Sequence, residues 1–77
     1  MQRITLDQLT TGQSGTIKKV SAKGPLRRRL LDMGIVNGTQ IETLKMAPLG
    51  DPIEYRLHGY NLSLRKAEAR LIEVEAQ

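Results

Sequence analysis

The chain has no cysteine, no phenylalanine and no tryptophan, and its only aromatic side chains besides His58 are Tyr55 and Tyr60. Without Cys, neither a disulfide framework nor a thiolate metal site can brace the fold, and no thiol nucleophile is available. That absence fits a reducing cytoplasm. Without Phe and Trp, aliphatic side chains must carry the core. No apolar run approaches the roughly 20 residues that cross a bilayer, and no charged-then-apolar leader opens the sequence. The expectation is a soluble cytoplasmic protein with no membrane span of its own. With 77 residues it should form one domain, 1–77, and a chain of this size buries only roughly 60% of its unfolded surface.

Acids are also missing from one third of the chain. Between Asp7 and Asp32 there is none, yet Lys18, Lys19, Lys23, Arg27, Arg28 and Arg29 all lie there. The remainder sets six bases against eight acids, so the whole excess of the +4 net charge belongs to that third. Such asymmetry points to an acidic partner (nucleic acid, anionic lipid or a protein surface) or to a solvated face that aids solubility.

What is present is organised around residues 47–64. Ala47-Pro48-Leu49-Gly50-Asp51-Pro52 reads as a stiff reversal, because proline fixes φ, glycine supplies positive φ and Asp-Pro starts turns. Ile53, Tyr55 and Leu57 then alternate with Glu54, Arg56 and His58, the pattern of a half-buried strand. After Gly59 the alternation resumes with Tyr60, Leu62 and Leu64, which puts both tyrosines on core parity. The two strands make a hairpin, and a hairpin alone is marginal in water. The rest of the chain must supply a sheet for it.

Ile4-Thr5-Leu6 is short and β-prone, Asp7 to Leu9 turns out of it, and Thr10 to Gly15 is loop chemistry. Thr16 to Val20 reads as a strand in which Ile17 and Val20 fall on opposite parities. Pro25 suits a helix's first turn, Leu26, Leu30 and Met33 recur at helical spacing, and Gly34 is a natural stop. That helix is too short to stand alone, so packing must hold it, with its arginines fanning outwards. Ile35 to Gly38 is a second turn. Thr39 to Met46 reads as a strand with a bulge or two covered faces, since Ile41 and Thr43 oppose Leu44 and Met46 in parity. Lys66 to Ala69 gives one helical turn, and Leu71 to Glu75 a closing strand with Ile72 and Val74 inward. The expected class is therefore all-β: a small SH3-like antiparallel barrel of about five strands, with one short helix between early strands.

No catalytic constellation assembles. His58 is the sole histidine, and Glu54, the nearest acid on its strand face, lies roughly 13 Å away at the rise of an extended strand. No Walker loop or GxGxxG occurs. Glu73 and Glu75 share a face and suit a loose surface ion at most. The reading is a non-enzyme without metal site or cofactor. Nucleic-acid binding has the charge but lacks the interleaved aromatics, and none is expected.

Arg29-Leu30-Leu31-Asp32-Met33-Gly34-Ile35, then Gly38, then Ala47-Pro48-Leu49-Gly50-Asp51-Pro52, Gly59-Tyr60 and Leu62-Ser63-Leu64-Arg65 resemble the FeoA family, ferrous iron transport protein A. Asn37 stands where that family commonly has proline, and His58 where it often has a base. The resemblance implies a small cytoplasmic SH3-like domain with an accessory role in bacterial ferrous iron uptake. Its partner would be the FeoB membrane transporter, bound at its cytoplasmic GTPase region. A related domain in metal-dependent repressors of the diphtheria toxin repressor type supplies the alternative, a regulatory domain of a transcription regulator contacting protein or nucleic acid through its basic segment. For partner contact the residues singled out are Lys23, Leu26, Arg27, Arg28 and Leu31 on the helix, with Pro48, Leu49 and Asp51 at the turn. Weak homo-oligomerisation through a poorly protected sheet edge is also allowed by such a fold.

Overall fold

Alternating apolar residues and two sharp reversals give six strands in the computed structural model, which describes residues 2–77. The strands are β1 (Gln2–Thr5), β2 (Ser14–Val20), β3 (Gln40–Met46), β4 (Ile53–Leu57), β5 (Tyr60–Leu64) and β6 (Ile72–Ala76). A 3-10 turn, Leu6–Gln8, follows β1; helix α1 (Gly24–Asp32) joins β2 to β3, and α2 (Lys66–Ala69) joins β5 to β6. All pairings are antiparallel and the sheet order is β1-β6-β2-β3-β4-β5. The last strand therefore lies between the first two. The expected class, mainly β with one short helix between early strands, is what forms; the sixth strand is the segment around Ile4 pairing with β6.

The core is aliphatic apart from Tyr55. Leu6, Leu9, Ile17, Leu30, Ile35, Ile41, Ile53, Leu57, Leu64, Ile72 and Val74 are all fully or nearly fully buried around it. Ile53, Tyr55 and Leu57 share the inner face of β4, as their alternation requires. The two parity conflicts in the sequence are both resolved by bulges. The register of β2 against β6 shifts between Ile17 and Lys19, and that of β3 against β4 between Thr43 and Lys45.

Three readings need correction. Gly15 belongs to β2 rather than to the preceding loop, and it is buried: a Cβ there would lie 3.1 Å from the Glu75 carbonyl oxygen and 3.3 Å from the Val74 side chain. Only glycine lets β2 and β6 approach so closely. His58 does not end β4; it is the first residue of a two-residue turn, with φ +52 at His58 and +77 at Gly59, both left-handed as the twist of a hairpin favours. Tyr60 has core parity but sits at the end of the sheet, where it remains 43% exposed and donates its hydroxyl to the Met33 carbonyl.

Candidate functional site

Helix α1 is fixed by a few residues, and its other faces are left free. Extended backbone at Lys23 and proline in the first turn set its start. Leu30 is fully buried, and Leu26 and Met33 pack half-buried beside it at the spacing of one helical face. The chain turns out of the helix at Gly34, whose φ is +94. The outward residues Arg27, Arg28, Leu31 and Asp32 line, with Gly24, a shallow depression of about 380 Å³. Lys19, Lys23 and Arg27 border a second one of similar size over Val20, Ser21 and Ala22. Arg27 is common to both, and its Nη1 donates to the Val20 carbonyl at 2.8 Å, which holds the guanidinium between them.

Four of the eight carboxylates form ion pairs elsewhere. Arg3 pairs with Glu73 at 3.9 Å, Lys45 with Glu54 at 3.7 Å, Arg70 with Asp7 at 3.6 Å, and Arg29 with Glu68. Among the described residues Lys18, Lys19, Lys23, Arg27 and Arg28 form no ion pair. An acid-free stretch of sequence thus becomes a mainly cationic patch around α1 and the end of β2, with Asp32 as an acid at its margin. Such a patch draws an acidic surface and speeds encounter with it.

The turn between β3 and β4 forms a second, separate group. The Ala47 amide donates to the Pro52 carbonyl at 3.0 Å and the Gly50 amide to the Ala47 carbonyl at 2.7 Å, closing the loop on itself. Asp51 accepts a hydrogen bond from the Lys66 amide at 2.9 Å, so its carboxylate ties the turn to the start of α2. Pro48 lines a depression of about 350 Å³ with Lys45, Met46, Ala47, Pro52, Glu54 and Ser63. Leu49 is 96% exposed and Met46 is 41% exposed.

The eight residues singled out from sequence are thus divided. Arg27, Arg28 and Leu31 come together on α1, and Lys23, at its N-cap, meets Arg27 in the neighbouring depression; Leu26 turns partly into the core; Pro48, Leu49 and Asp51 stand apart at the turn. Two residues of the acid-free run that are not among these eight also border the depressions. Lys19 joins Lys23 and Arg27 around one depression. Arg29 sits between the two groups, in a depression shared with Pro52, Ser63, Arg65 and Glu68. The acid-free run names both, but nothing local announces the pairing of Arg29 with a residue 39 positions away. No three His, Asp or Glu side chains converge to hold a metal ion among the described residues, and no helix there is long and apolar enough to cross a membrane.

The comparisons with known proteins agree with one another. Residues 4–76 match the FeoA domain model. The Fe(2+) transport protein A/Fe(2+) transporter FeoB fusion protein of Porphyromonas gingivalis is 46% identical over 70 residues, which are 91% of this chain and 8% of the fusion protein. The chain thus spans a small part of that curated relative. Among solved structures, the FeoA protein of Chlorobium tepidum superposes with a TM-score of 0.89 at 40% identity, over 95% of this chain and 70% of that one. The FeoA-like protein of Clostridium acetobutylicum gives 0.89 at 42% identity, over 99% and 88%. Stenotrophomonas maltophilia FeoA, described as a prokaryotic SH3 domain protein and crystallised with zinc, gives 0.83 at 26% identity, over 94% and 89%. A manganese-dependent transcriptional repressor shares the fold at 20% identity and a TM-score of 0.87, over 97% of this chain and 42% of that one. With the resemblance in its motifs, the six-stranded SH3-like architecture and a domain model covering nearly its whole length, the chain belongs to the FeoA family.

Proposed function

We propose that this protein is an accessory subunit of ferrous iron uptake. It docks on the cytoplasmic region of a FeoB-type transporter through the cationic face of α1 and the end of β2, and performs no reaction itself. What carries the reading is the Porphyromonas gingivalis relative, in which a FeoA domain and the FeoB transporter share one polypeptide. Covalent linkage holds two partners at high effective concentration, a gain only if they engage one another. Lys19, Lys23, Arg27 and Arg28, without ion pairs among the described residues, supply the attraction, and the half-exposed Leu31 among them an apolar contact. To alter the transporter's cycle rather than merely ride on it, the protein must bind one transporter state more tightly than another.

The test is a pull-down with the transporter's cytoplasmic domain, set beside a gel shift with duplex DNA. Arg27→Glu with Arg28→Glu should abolish transporter capture, and DNA should not shift at physiological salt. Unchanged capture by the reversed variant sinks the assignment of this face. A DNA complex that weakens steeply with salt would instead favour the transcriptional role, for which the repressor likeness offers a shared fold alone.

A further inference from the structure

Among the described residues β1 lies at one end of the strand order and β5 at the other, and no ladder joins the two. Natural edge strands are blunted by charge, proline or a bulge. β1 carries Arg3. β5, Tyr60-Asn61-Leu62-Ser63-Leu64, has no charged residue and no proline, and its register against β4 is unbroken over all five residues.

The hydrogen-bond phase of β5 follows from the far side of the sheet. Thr43 exchanges backbone bonds with the β2 side, its amide donating to Gln13 and its carbonyl accepting from Gly12. Glu42 therefore faces β4, and its partner Arg56 faces β3. Tyr55 and Leu57 then face β5, where they meet Leu62 and Tyr60. The amides and carbonyls of Asn61 and Ser63 consequently point away from β4, and no backbone or side-chain partner meets them among the described residues.

We infer that β5 is a self-pairing edge, and that its occupant is the β5 strand of a second copy, run antiparallel about a two-fold axis at Leu62. The order of residues argues for a copy of itself. Reversed about Leu62, apolar meets apolar and small polar meets small polar: Tyr60 opposes Leu64, Asn61 opposes Ser63, and Leu62 opposes Leu62 of the second copy. Asn61 and Ser63 exchange four backbone hydrogen bonds with their counterparts. The half-buried Leu62 and the partly exposed Tyr60 extend the inner apolar face across the junction. Arg65 falls opposite Gly59, so no cation faces a cation in that register. A contact of five residues a side lies below the roughly 1,200 Å² of durable interfaces, so the dimer forms and dissolves with concentration.

Amide exchange of the full chain, followed by nuclear magnetic resonance from dilute to concentrated protein, reads this directly. Asn61 and Ser63 should slow by about tenfold or more as concentration rises, while Tyr60, Leu62 and Leu64, already bonded to β4, keep their rates. Ser63→Pro removes one outward amide without touching the β4 ladder, and should abolish self-association with the thermal midpoint little changed. Leu62→Lys and Leu62→Glu should each be monomeric alone and associate when mixed, since only the mixture sets opposite charges across the axis. Exchange at Asn61 and Ser63 that ignores concentration, a Ser63→Pro chain that still dimerises, or charge variants that fail to associate on mixing would each overturn the assignment. Transporter capture by Ser63→Pro should persist, which separates this edge from the cationic face.

Discussion

Thr43 is fully buried on the inner face of β3, and its hydroxyl has no hydrogen-bond partner among the described residues. A buried hydroxyl left unsatisfied costs about 1–3 kcal/mol of desolvation, whereas an apolar group of the same shape costs nothing of the kind. Thr43→Val should therefore hold or raise stability, by up to about 1 kcal/mol in chemical denaturation; a clear loss would mean that the hydroxyl is bonded in solution. Across the β3–β4 ladder stands Tyr55, whose hydroxyl donates over 3.5 Å to the Leu6 carbonyl. Burial first, and the negative charge of Asp7 second, push its phenol well above the ordinary tyrosine range. The unfolded chain loses that proton near the usual pKa of about 10, while the folded chain keeps it. Stability is thus complete below that value and falls as pH rises beyond it, because ionisation favours only the unfolded state. Tyr55→Phe should flatten the alkaline arm of a pH-denaturation profile.

Helix α1 shows how a short element is held by its ends and one apolar face. Gly34, just beyond it, has φ +94, and a Cβ there would come within 3.2 Å of the His58 ring in the β4–β5 turn. Gly34→Ala should cost about 1–2 kcal/mol in thermal or urea unfolding, from the left-handed backbone together with that contact. His58→Gly in the same chain should restore only the contact's share, so the two substitutions should not add. The element boundaries were legible in the sequence where local chemistry sets them. Pro25, the Leu26-Leu30-Met33 spacing, the 47–52 reversal and the alternation of β4 all read through. The β3 bulge was one of two readings of the parity clash at Thr43/Leu44, whereas the clash at Ile17/Val20 marked an irregularity without naming a bulge. Gly15 was not legible, because its role depends on Val74 and Glu75, about sixty residues further along. Tyr60 misled for the same reason: parity gives its face, but its place at the sheet's end decides its exposure.

At the scale of the whole molecule, the cationic patch was readable as composition, but its shape depended on which acids were engaged elsewhere. Arg29 lies in the same run as Arg27 and Arg28, yet Glu68 takes it out of the free set. Lys19→Glu with Arg28→Glu removes side chains that form no ion pair among the described residues, so unfolding free energy should change by no more than about 0.5 kcal/mol each. A loss much beyond that would show that the patch braces the fold. The order of strands was the part least accessible from sequence, since no local pattern says that β6 inserts between β1 and β2. That insertion has a consequence for synthesis. As the polypeptide leaves the ribosome from its N-terminus, β1 and β2 emerge early but must wait for residues 72–76 before either gains the neighbour between them. The nascent chain can assemble β2, β3, β4 and β5 first, and the seam is zipped only once residues 72–76 have emerged.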